Sequence, residues 1–66
     1  MNIQINGEAR ELPADTTISG LLQTLGLAEK RVAVECNGEL VPKSLHGERR
    51  LEDSDRVEIV QAIGGG

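Results

Sequence analysis

The sequence has no phenylalanine, tyrosine or tryptophan, a single cysteine and a single histidine. A protein that binds single-stranded nucleic acid wants aromatic faces on which bases stack, and none is available. Cys36 alone cannot close an internal disulfide. With only His46 beside it, it cannot complete a metal site, which needs three or four ligands. No apolar run approaches the roughly 20 residues that cross a bilayer. Met1-Asn2-Ile3-Gln4 shows neither the charged nor the apolar region of a secretion signal. The expectation is a soluble, cytoplasmic protein. Basic charge is also short: seven Lys and Arg stand against eleven Asp and Glu, a formal net charge of -4. The bases are dispersed. The adjacent pair Arg49-Arg50 sits among Glu48, Glu52 and Asp53 and reads as a solvated face, not a phosphate site.

The chain has 66 residues, enough for one domain. A domain of this size buries only about 60% of its unfolded surface. That leaves little room for an internal cavity with supporting residues around it. No nucleophile–base pair stands out either, so an enzyme is the least favoured class.

What is present is a sequence of alternations and turns. Asn2 to Asn6 alternates, with Ile3 and Ile5 on one face, the period of a half-buried strand. Asn6-Gly7 tolerates the positive φ of a two-residue hairpin turn. Glu8 to Leu12 reads as the returning strand, with Leu12 inward and Pro13 ending it. Asp15-Thr16-Thr17 supplies helix-capping candidates. Ile18, Leu21, Leu22 and Leu25 then recur at i, i+3, i+4 and i+7, an amphipathic helix stopped by Gly26. Gly20 inside that helix suggests close packing against a sheet. Arg31 to Cys36 alternates again, placing Val32, Val34 and Cys36 on one face. Asn37-Gly38 is a second hairpin signal, and Glu39-Leu40-Val41 a short strand before Pro42. Lys43 to Glu52 reads as a loop or one helical turn pinned by Leu45 and Leu51, with His46 on its surface. After a turn at Asp53-Ser54-Asp55, Val57 to Gln61 is the last strand, with Val57 and Ile59 inward.

The order is hairpin, helix, hairpin, final strand. One helix with one apolar stripe packs across one face of a mixed sheet. The connecting helix lets the first and last strands lie side by side at the centre. This is an α+β fold of the β-grasp, or ubiquitin-like, class. Residues 1–63 are expected to form the domain and residues 64–66 a flexible C-terminal glycine tail.

Ile63 is the last residue able to anchor anything, and Gly64-Gly65-Gly66 ends the sequence. Glycines in a row at a terminus cannot be held by packing and should be mobile. Extended, the five residues after Gln61 reach roughly 17 Å. Such a tail can thread into another protein's narrow active site. A carboxylate without a neighbouring Cβ is open to attack once ATP has converted it into an acyl-adenylate. A sulfur nucleophile then gives a thiocarboxylate, and a lysine amine gives an isopeptide bond. The tail alone leaves both fates open. Gly66 is the candidate reactive residue and Gly65 keeps the tail slim. Gly64 supplies reach. Val60 and Ile63 point away from the inward set or lie past it. They suit either an apolar patch facing a partner or packing under the Lys43–Glu52 loop. The acidic balance suits a basic partner surface. Cys36, inward beside Val34, reads as a buried, inert small hydrophobe.

At these residues the sequence resembles the ThiS family of sulfur carriers in thiamin thiazole biosynthesis. The resemblance spans the whole length. It rests on Met1-Asn2-Ile3, Asn6-Gly7-Glu8, Thr17-Ile18 and Leu21-Leu22, and on Val32-Ala33-Val34-Glu35 running into Asn37-Gly38-Glu39. It continues through Val41-Pro42, Asp55-Arg56-Val57-Glu58-Ile59-Val60, Ala62-Ile63 and the glycine end. Cys36 departs from the family's usual aliphatic residue, and Ser54 from a common glycine. The resemblance implies a protein co-substrate with no cofactor or metal of its own. An E1-like adenylyltransferase of the ThiF type would adenylate Gly66. A sulfurtransferase or cysteine desulfurase system would make the thiocarboxylate. A thiazole synthase of the ThiG type would accept the sulfur. The small subunit of molybdopterin synthase shares this chemistry but tends to be longer and more aromatic. A ubiquitin-like modifier and a plain binding module of the same fold are the alternatives from other classes.

Overall fold

Two Asn-Gly dipeptides shape the chain. In the structure, a computed structural model that describes residues 1–61, Asn6 and Gly7 take φ of 50° and 85°, and Asn37 and Gly38 take 53° and 86°. Positive φ at both central residues is the geometry that matches the twist of a tight hairpin. The first turn joins β1 (Asn2–Ile5) to β2 (Glu8–Glu11), and the second joins β3 (Val32–Cys36) to β4 (Glu39–Val41). Both pairs are antiparallel, with Ile5 opposite Glu8 and Cys36 opposite Glu39.

Between the hairpins runs helix α1 (Ile18–Thr24). Thr17 caps it: its side-chain oxygen accepts the Gly20 N–H at 3.0 Å, meeting one of the donors a helix start leaves over. Gly26, at φ 74°, turns the chain out of the helix. Gly20 does not serve close packing on the sheet. A Cβ there would meet only the Thr17 and Thr16 side chains, at 3.4 and 3.6 Å. The helix approaches the sheet through Ile18, Leu21 and Leu22 instead.

The final strand β5 (Arg56–Gln61) lies in the middle, in the order β2-β1-β5-β3-β4. It runs parallel to β1 and antiparallel to β3. Strand alternation turns Ile3, Ile5, Val34, Cys36 and Val57 toward α1, where they form one core with Leu12, Val41 and Leu51. Ile18, Leu21 and Val34 have no exposed surface at all. Each side chain so buried contributes roughly 1.5–3 kcal/mol relative to exposure. The sheet has one covered face and one open face, as the alternation in the sequence requires.

The segment after Pro42 differs from expectation in two places. It does contain one turn of 3-10 helix, Lys43–Leu45, and Leu51 is buried. Leu45, however, is 44% exposed and pins nothing, while His46 is only 5% exposed. The His46 Nε2 donates to the Val41 carbonyl at 3.0 Å, and its own carbonyl accepts the Ser19 N–H at 2.9 Å. A carbonyl at the end of an edge strand followed by proline needs a donor from elsewhere. Imidazole supplies one while filling apolar space, and a leucine could not.

Ser54 stands at φ 73°, a left-handed conformation that costs a residue with a Cβ about 1 kcal/mol. Its backbone N–H donates to Asn2 at 2.7 Å, which holds it there. Ser54→Gly should therefore raise stability by about 0.5–1 kcal/mol. Thermal unfolding followed by circular dichroism should show a melting point a few degrees higher. An unchanged or lower melting point would mean that the turn carries no such strain.

Candidate functional site

The strand that leads to the C-terminus is the one most closely held. On its β3 side, β5 is paired from Val57 opposite Cys36 to Gln61 opposite Val32. On its β1 side the backbone ladder is shorter, since β1 ends at Ile5, opposite Val57. Beyond that point the Asn6 N–H still reaches the Val57 carbonyl at 2.9 Å. The Asn6 side chain then continues the ladder: its Oδ1 accepts the Ile59 N–H at 2.8 Å, and its Nδ2 donates to the Ile59 carbonyl at 3.2 Å.

The start of β5 is fastened by a second set. Asn37 Oδ1 accepts the Arg56 N–H at 2.9 Å, and Asn37 Nδ2 donates to Asp55 Oδ1 at 3.0 Å. Asp55 is 7% exposed. Its Oδ2 accepts the Glu52 N–H at 2.8 Å and lies 3.7 Å from Cys36 Sγ. Burial pushes this carboxyl up. Hydrogen bonds from the Glu52 N–H, the Asn37 amide and the Cys36 thiol, with the Arg49 guanidinium nearby, outweigh burial and hold its pKa below the usual carboxylate value. Cys36 responds in the opposite sense. Burial and the neighbouring Asp55 charge push its thiol up, against a smaller pull from Arg49, whose Nη2 is 3.6 Å away. A buried thiol kept protonated is a poor nucleophile, consistent with reading Cys36 as part of the core.

Among the residues singled out in the sequence, Val60 stands on the open face, 63% exposed and opposite Ala33. Packing under the Lys43–Glu52 loop is not its role. That loop joins the helix side, through Ile18 N–H to the Arg49 carbonyl at 3.1 Å and Leu51 N–H to the Thr16 carbonyl at 2.9 Å. Leu40, 65% exposed, stands on the same open face opposite Glu35, which itself faces Glu58. Ile63, Gly64, Gly65 and Gly66 lie outside the described residues. Among the described residues, no helix is long and apolar enough to cross a membrane.

Sequence reading missed the double role of Asn6 and Asn37, and took Asp55 for an ordinary turn residue. A signal was present in the repetition: both hairpins use Asn, where a turn of this type also accepts Asp or Gly.

A model of the ThiS family matches residues 3–66. The chain belongs to the ThiS family. It is 42% identical over 65 residues to the sulfur carrier protein ThiS of Bacillus subtilis, a match covering 97% of this chain and 98% of that one. It is 47% identical over 66 residues to a thiazole synthase of Paramagnetospirillum magneticum, and there it spans only 20% of the relative's length. The crystal structure of the thiamine biosynthesis protein ThiS from Geobacter metallireducens superposes with a TM-score of 0.86 at 30% identity over the whole of both chains. ThiS membership and this superposition establish the β-grasp architecture of the chain.

Proposed function

We propose that this chain is a sulfur carrier, a co-substrate for partner enzymes and not itself a catalyst. The observation that carries the reading is the position of β5. The central strand of a ThiS-family sheet, tied on both sides, is the element that leads into Ala62-Ile63-Gly64-Gly65-Gly66. Residues 64–66 are then a tail that leaves the domain of residues 1–63 with its carboxylate forward.

The chemistry balances as two displacements. A carboxylate oxygen of Gly66 attacks the α-phosphorus of ATP on an E1-like adenylyltransferase, and pyrophosphate leaves. Hydrosulfide, released from the persulfide of a sulfurtransferase or cysteine desulfurase system by a thiol that ends as a disulfide, then attacks the acyl carbon, and AMP leaves. The product is a thiocarboxylate at Gly66, whose sulfur is anionic and nucleophilic near neutral pH. Gly65 keeps the tail slim in the partner's channel and Gly64 extends its reach. Val60 and Ile63 contribute apolar contacts at the mouth of that channel.

Delivery of the sulfur to a thiazole ring is supported by the Paramagnetospirillum relative. There a stretch 47% identical to this whole chain forms part of a longer protein named thiazole synthase. The reading places this chain in the cytoplasm, with its ATP-using partners.

Adenylation is reversible, which gives a direct test. An E1-like partner incubated with this chain, ATP and labelled pyrophosphate should move label into ATP only when the chain is present. An active partner that shows no chain-dependent exchange would contradict the reading.

A further inference from the structure

Both Asn-Gly turns send an asparagine side chain to β5. Asn37 ties its first residue, Arg56, and Asn6 ties Ile59 near its end. Asn6 makes the more complete imitation of a strand. One amide accepts from the Ile59 N–H at 2.8 Å and donates to the Ile59 carbonyl at 3.2 Å, just where β1 has turned away. The turn itself does not require this residue. At φ 50° Asp and Gly are equally suited. Of the three, only asparagine offers both a donor and an acceptor from its side chain.

Ile59 lies two positions before Gln61, the end of the strand. Among the described residues, Asn6 is therefore the last tie to β5 from the β1 side. On the other side, Val32 is opposite Gln61 at the start of β3. With Asn6 in place, β5 is held from both sides as far as Ile59, two residues before its end. Without it, the end of β5 hangs from β3 alone and can swing about that edge.

We propose that Asn6 is a positioning residue: its amide fixes the direction in which β5 leaves the sheet, and so the place where the C-terminus arrives when the chain is docked on a partner. The proposal rests on the carrier reading. A terminus delivered by a tether reacts at a rate set by its effective concentration at the partner's site. Each residue released at the base of the tether spreads the end over more space. Contacts that the rest of the folded body makes with a partner are not affected.

The test uses the full chain with an E1-like partner and ATP, reading pyrophosphate release against carrier concentration, together with amide hydrogen exchange. In Asn6→Gly the hairpin keeps its positive φ. The Ile59 amide should exchange about tenfold faster, the size of one lost hydrogen bond. The kcat should fall about three- to tenfold with KM unchanged. Asn6→Asp should shift kcat in the same direction, because its carboxylate has no donor for the Ile59 carbonyl. Asn37→Gly loosens the far end of the same strand and should keep the wild-type kcat. An unchanged kcat in Asn6→Gly would overturn the proposal, as would an equal fall in Asn37→Gly, which would mark general loosening of β5. Absence of pyrophosphate release from the wild-type chain with an active partner would instead overturn the carrier reading, while the exchange of Ile59 would still report on the tie.

Discussion

Deleting Gly65 and Gly66 should abolish sulfur loading and leave the melting temperature unchanged. The core that holds the domain together, from Ile3 to Val57, lies far from the end of the sequence. Two glycines have no side chain to contribute to it. The consequence for chemistry is severe. Two residues of extended chain span roughly 7 Å, while reacting atoms must approach to about 3–3.5 Å. A carboxylate moved back by that distance cannot reach the α-phosphorus of ATP in a site shaped for the longer tail. Turnover should fall below detection, by more than about a hundredfold. On the proposed reading partner binding should survive, because the truncation leaves the folded residues 1–61 unchanged in sequence. The same truncation separates this account from a plain binding module, whose function would persist without the two glycines.

Asp55→Ala should be the most damaging single change to the fold among the polar residues. Its carboxylate accepts hydrogen bonds from the Glu52 N–H and the Asn37 amide, and touches Cys36 Sγ. Alanine takes the shared acceptor from all of these groups at once, at a side chain that is itself only 7% exposed. The expected loss is about 2–3 kcal/mol. For a domain of this length, total stability is on the order of 3–10 kcal/mol, so much of it would go. Heat or urea unfolding should show a melting point lower by about 10–20 °C, and a loss under about 0.5 kcal/mol would contradict this role. The carboxyl also gives the domain an acid limb. Its pKa is lower folded than unfolded, so the folded chain binds its proton less readily. The stability it contributes is complete above the unfolded value, about 3.9, and is lost as pH falls below that toward the folded value. Asp55→Asn should flatten this limb, measured as stability against pH between neutral and strongly acidic solution.

Much of this architecture could be read from residues. The alternation of Ile3 and Ile5, and of Val34 and Cys36, gave the buried faces directly, because strand period allows only one assignment. The two Asn-Gly pairs gave both hairpins. The capping candidates Asp15-Thr16-Thr17 and the stop at Gly26 bounded the helix. What could not be read was where polar side chains go. His46 follows a leucine in a polar stretch, and nothing local shows that the imidazole turns inward while Leu45 turns out. Its burial depends on the Val41 carbonyl, whose need for a donor arises only once β4 is an edge strand. Asn6, Asn37 and Asp55 belong to turns in the sequence and to β5 in space. Their partners lie 53, 19 and 18 positions away, beyond the reach of any local pattern. For the site, the exposed side of Val60 was legible, while the glycine end lies outside the described residues. The way β5 is fastened ahead of them was not.

The most direct measurement is the intact mass of the chain after incubation with a cognate E1-like enzyme, ATP and a sulfur source, followed by fragmentation to locate any change. The account predicts a mass gain equal to one oxygen replaced by sulfur, placed at Gly66. An unchanged mass in the presence of a demonstrably active partner, or a gain located on any other residue, would contradict it.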